Sequence, residues 1–138
     1  MNTTTHPEYA AFLLRLSLGA MLLAHGLLKL LVFTLPGTVQ FFQSVGFPGW
    51  LAYVTVAMEI GGGLLMLAGY RTRLVALGLV PLMLGAMSVH LGNGWVFSAP
   101  NGGWEYPAFL TAALFVQSLL GPGVFALRYS SHTRLAQA

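Results

Sequence analysis

Apolar positions along the chain fall into four long blocks, residues 10–32, 50–69, 74–91 and 104–120. Each approaches the ~20 residues that a helix needs to cross ~30 Å of hydrocarbon. The polar and glycine-rich breaks between them set the connectivity. The first connection, 33–49, is long and holds Pro36-Gly37 and Gly46-Phe47-Pro48-Gly49; between these breaks the stretch 38–45 predicts a short helix lying in the membrane interface. The second is only Tyr70-Arg71-Thr72-Arg73, which makes the second and third helices antiparallel neighbours. The third, 92–103, is rich in Gly and Asn and carries Trp95 and Phe97, aromatics suited to the headgroup level. The pattern predicts an all-α polytopic membrane protein, four transmembrane helices in an antiparallel bundle, as one domain over 1–138 with no internal repeat.

Helices in lipid associate through close contacts of small residues and through polar groups. The pairs Ala20/Ala24, Ala57/Gly61 and Ala108/Ala112, and Gly78 with Gly85, have the spacing for such contacts. Gly61-Gly62-Gly63 lies inside an apolar block with no strand before it, so it reads as a helix contact and not as a phosphate loop. Gln117 fits an interhelical hydrogen bond, and Pro81 a kink in the third helix.

Composition agrees: 57% of the 138 residues are hydrophobic and 7% charged, against about a quarter charged in a soluble domain. The net charge of +3 comes from Arg15, Lys29, Arg71, Arg73, Arg128 and Arg134 against three acids. These basic residues are scattered, which is no nucleic-acid footprint. They instead order the topology: all but Lys29 collect on the side of the 70–73 turn and the two termini, which the positive-inside rule places in the cytoplasm. The chain has no cysteine, so thiol–disulfide chemistry, zinc–thiolate sites and Cys-ligated clusters are excluded for the chain alone, and no metal site is expected. The first ten residues, polar and without Lys or Arg, do not read as a cleavable signal peptide.

Ionisable side chains inside a span cost about 2.5–3.5 kcal/mol each at the bilayer centre, so they face inward and find partners. Arg15, Leu18, Leu22, His25 and Lys29 make one stripe about 80° wide on the first helix. Ala52, Thr55, Glu59 and Gly62 make another on the second, with Glu59 near its middle. His90 ends the third helix and Glu105 begins the fourth. At ~1.5 Å per residue, His25 and His90 lie at matching depths in the outer half, with Lys29 and Glu105 above them and Glu59 between Arg15 and the outer groups. The expectation is an internal polar cluster opening outward, with a substrate site formed by His25, Lys29, Glu59, His90 and Glu105. Arg15 and Glu59 are candidates for a structural ion pair, with Lys29 the other basic residue that can pair with Glu59. Each group has a structural reading too: Lys29 and Arg15 can snorkel, Glu105 can complement a helix dipole, and the two histidines can bond one another. A bis-histidine haem is the weaker reading of that pair. Tyr, Trp and Phe near helix ends read as interface anchors.

Taken in order, these residues resemble the DoxX family of small bacterial membrane proteins. The resemblance rests on Arg15-x-x-x-Gly19, His25-Gly26-x-x-Lys29-Leu30, Gly46-Phe47-Pro48, Glu59-x-x-Gly62-Gly63 and Gly69-Tyr70-Arg71-Thr72-Arg73. His90 with its aromatic loop, Gly103-x-Glu105 and Gly121-Pro122-Gly123 complete it. Beyond Gly123 the chain departs, with Val124-Phe125-Ala126-Leu127-Arg128 where the family has a more polar, acid-ended run. The resemblance implies four helices in the bacterial inner membrane and a link to redox complexes, since relatives include a membrane subunit of thiosulfate:quinone oxidoreductase. The leading expectation is a redox-associated membrane subunit whose cluster binds a quinone headgroup or a small anion. In it His25 and Lys29 donate hydrogen bonds, Glu59 orients or exchanges protons, and His90 closes the site. Any oxidoreductase activity would need a bound cofactor or a partner subunit; the associations expected are a redox partner protein or a homo-oligomer. A scaffold or assembly factor, and a small transporter, are the alternatives.

Overall fold

A computed structural model of the chain describes residues 5–127. Its elements are α1 (His6–Leu27), which runs on through a π-helical turn (Leu28–Val32), then α2 (Leu35–Ser44), α3 (Trp50–Ala68), α4 (Thr72–His90), a 3-10 turn (Leu91–Asn93) and α5 (Glu105–Leu120). The all-α expectation holds, with the short α2 as a fifth helix. His6–Val32, Trp50–Ala68 and Thr72–Asn93, with 27, 19 and 22 residues, are long and apolar enough to cross a membrane. α5 has 16 residues, about 24 Å of helix, and packs along α4 and α1. The four long helices form a ring in the order α1, α3, α4, α5, while α2 folds back over α3 and the π turn.

Both described chain ends meet at one end of the ring. The amide of Val124 donates to the carbonyl of Glu8 at 3.3 Å, and that of Leu127 to Ala68 at 2.9 Å. α2 and the 91–104 loop lie at the other end, called the α2 end below. Arg71 and Arg73 share the end where the described chain ends meet; Arg128 and Arg134 lie outside the described residues. Side chains on the outer surface are apolar, with Phe109 70% and Leu119 76% exposed, a surface that only lipid would satisfy.

Close helix contact is made at Gly62 and Gly63 of the expected glycine run, and otherwise by small residues other than the expected pairs. A Cβ on Gly63 would lie 2.8 Å from the Leu23 nitrogen and 3.0 Å from the Gly19 oxygen, and one on Gly26 would lie 2.7 Å from Ile60. α1 and α3 therefore touch backbone to backbone at Gly19, Gly26 and Gly63. Ala20, Ala24, Ala57 and Ala112 face outward, and a Cβ on Gly61, Gly78 or Gly85 would meet nothing within 4 Å. The physical reason is phase. One residue is 100° of helix, and the ionisable stripes, not the small pairs, choose which face turns inward.

Candidate functional site

The stripe on α1 is an interior face: Arg15 and Leu18 are 0% and 3% exposed, and Leu22, His25 and Lys29 continue it into a cavity of about 490 Å³. That volume lies within the ~300–1,000 Å³ typical of small-molecule sites. From α3 the cavity takes Leu51, Val54, Thr55, Met58 and Glu59; from α4, residues between Pro81 and His90; from α5, Tyr106, Pro107 and Leu110. Phe41, Phe42, Val45 and Phe47, from α2 and the turn after it, line the α2 end. Leu22, Met83 and Leu110 form the floor, which they share with the buried core of Leu18, Met66, Leu79 and Leu114.

One ion pair anchors the polar end. Lys29 Nζ donates to both carboxylate oxygens of Glu59 at 2.9 Å, with the Glu59 side chain 4% exposed and that of Lys29 21%. Gly26 makes the approach of the two helices possible, because a Cβ there would press on Glu59 Cβ at 3.1 Å. The expected Arg15–Glu59 pair does not form. Arg15 instead donates to the carbonyls of Met66, Leu67, Pro122, Val124 and Phe125, at 2.8–3.1 Å. Two of these are orphan carbonyls of the last turn of α3, at the negative end of its dipole. A fork of five donors satisfies the carbonyls, whereas a bidentate carboxylate would engage only two of those donors. Arg73 does the same for α5, donating to Ser118 and Leu119 at 3.0 and 2.7 Å.

The two histidines line the same cavity but do not bond one another. His25 Nδ1 is 2.7 Å from the carbonyl of Met21; His90 Nδ1 is 3.1 Å from those of Asn101 and Gly102. A carbonyl only accepts, so Nδ1 carries the proton in each ring and Nε2 is the nitrogen left for a ligand. His25 stacks on Tyr106, with centroids 5.7 Å apart. Tyr106 was read as an interface anchor, yet its hydroxyl is buried and has no hydrogen-bond partner among the described residues. The signal for it was the face it shares with Leu110, Ala113 and Gln117. Gln117, as expected, bridges helices, donating to Ala11 at 3.2 Å. Glu105 is not brought to the cavity. Its Oε1 accepts from the amide of Phe97 at 2.8 Å and ties the 91–104 loop to the first turn of α5. No three His, Asp or Glu side chains among the described residues come close enough to share a metal ion.

The DoxX family model matches residues 10–92, more than half of the chain and all of α1 to α4 beyond the first few residues. The chain belongs to the DoxX family. The matched DoxX region includes His25, Lys29, Glu59 and His90. Among relatives, "Putative oxidoreductase CatD" of Bacillus subtilis (strain 168) is 39% identical over 80 residues, 58% of this chain and 58% of that protein. "Uncharacterized protein YdgD" of the same organism is 34% identical over 85 residues, 59% of this chain and 73% of that protein. "Inner membrane protein YqjF" of Escherichia coli (strain K12) is 42% identical over 41 residues, 30% of this chain and 32% of that protein. The chain thus spans less than two thirds of the length of CatD and of YqjF. No solved structure matches. As a DoxX protein with apolar helices, the chain resides in a membrane.

Proposed function

We propose that this DoxX protein binds a quinone headgroup in the cavity at the α2 end, as the membrane subunit of a redox complex. The observation that carries the reading is a buried Lys29–Glu59 pair placed at the edge of a largely apolar cavity. Holding helices together in lipid does not demand an ion pair, since small residues do so at less cost. A quinone needs this combination: donors for two carbonyl oxygens and apolar walls around the ring. Lys29 supplies one donor, and the unpartnered hydroxyl of Tyr106 offers another.

Reduction of a quinone takes up two electrons and two protons. Electrons would have to come from a bound cofactor or a partner protein, because the chain has no cysteine to carry them. For protons, His25 is the suited group. With Nδ1–H held by Met21, its Nε2 accepts from a hydroquinone when neutral and donates to a quinone when protonated. His90, fixed by the loop, closes the far side. The name of the relative CatD agrees with a redox role, and the excess of basic residues at the end that holds the 70–73 turn supports a cytoplasmic side for both termini.

The test is titration of the protein in lipid nanodiscs with a tail-less benzoquinone. Wild type should bind, and His25→Ala and Glu59→Ala, checked for retained helicity, should bind at least about tenfold more weakly. Equal binding by wild type and both folded variants would remove this site.

A further inference from the structure

The cavity has a mouth, and its position says from where a ligand arrives. At the floor α3 and α4 touch, since a Cβ on Gly62 would lie 3.1–3.2 Å from the methyl carbons of Leu79. Toward the α2 end the cavity separates the same two helices, with Val54 on the α3 side and Pro81 and Gly85 on the α4 side. Val54 is 41% exposed and Phe41 of α2 51%, and Pro81 is exposed as well, although all three line an interior space. Side chains do both only at an opening. A Cβ on Gly85 would meet nothing within 4 Å, so no side chain obstructs the α4 lip there. Pro81 lies midway along α4, Thr72–His90, at the depth of the hydrocarbon and not of the headgroups. Tyr53 and Leu84, next to the lips in sequence, are 54% and 44% exposed, which continues an apolar surface around the opening.

We infer that the ligand is a tailed amphiphile that enters sideways from the bilayer through the gap between α3 and α4. Its polar head reaches Lys29–Glu59 while its apolar tail stays between Val54 and Gly85. The inference rests on the headgroup reading above and adds the route and the tail. An opening at this depth favours a molecule that partitions into lipid, tailed or not, over a charged or strongly polar solute, which would have to cross hydrocarbon first.

The experiment compares two benzoquinones with the same ring, one without a tail and one with a decyl chain, bound to the protein in nanodiscs. Gly85→Leu fills the lip and should weaken the decyl compound about tenfold, while changing the tail-less one by less than about twofold. Val54→Trp, from the opposite lip, should reproduce this and carries the test if Gly85→Leu does not fold. Gly78→Leu, equally open but away from the cavity, should leave both probes unchanged. An equal effect on both probes, no effect on either, or the same loss from Gly78→Leu would overturn the sideways route and leave the head site standing. Failure of wild type to bind either compound would remove the head site and the route together.

Discussion

The guanidinium of Arg15 occupies the space that a side chain on Gly69 would need: a Cβ there would sit 2.5 Å from Nη1. Gly69 ends α3 in the left-handed region, with φ at +74°, and leaves the last carbonyls of that helix open to Arg15. Gly121 and Arg73 repeat the arrangement at the end of α5, where a Cβ would lie 2.9 Å from Nη2. Each helix end thus pairs a terminal glycine with an arginine from a neighbouring helix.

Gly69→Ala should therefore destabilise through both the backbone and the displaced guanidinium, by about 1–3 kcal/mol. Arg15→Lys should be of similar size, since an ammonium with three donors cannot serve five carbonyls. Because the two residues share one contact, the double variant should lose less than the sum. Thermal melting in detergent measures all three; strict additivity would mean that the pair is not coupled.

At the other end, removing one partner of Lys29–Glu59 leaves a charge without compensation. Lys29→Ala or Glu59→Ala should each cost about 3–5 kcal/mol, whereas Lys29→Met with Glu59→Leu should melt close to wild type. The double variant should nevertheless fail to bind a quinone. Retained binding by that stable variant would show that the pair serves packing alone.

Topology has an independent check. Reporter fusions after residue 127 and in the Arg71–Arg73 turn should read cytoplasmic, and fusions at 45–49 or 97–101 external. A C-terminal fusion active only outside would contradict the orientation proposed from the arginines.

The faces of the helices were legible in the sequence because ionisable residues at helical spacing can point only inward: Arg15 to Lys29, and Ala52 to Glu59, lie where their periodicity placed them. What those residues bind was less legible. The sequence leaves Arg15 and Lys29 both open as the partner of Glu59, because it displays charges but not the carbonyls that a helix end leaves free. Tyr106 escaped because an aromatic at a helix start looks the same whether it faces a headgroup or a cavity. Depth alone puts Glu105 with the outer groups, whereas a helix N-terminus and a facing loop amide hold its carboxylate.

The π turn at Leu28–Val32 has a consequence that hydropathy does not register. The amide of Phe33 reaches back to Leu28 at 3.0 Å, one residue further than in an α-helix. The carbonyl of Lys29 is thereby released to share the Thr38 hydroxyl of α2, at 3.2 Å, with the carbonyl of Thr34, at 2.8 Å. One additional residue in the turn shifts the phase of everything after it by about 100°, and α2 is steered over the cavity by that shift. A deletion of Leu30, Leu31 or Val32 would keep every apolar block intact and every cavity side chain present. It would still swing the roof off the walls, so this protein can lose its site through a change of angle, with no change in its chemistry.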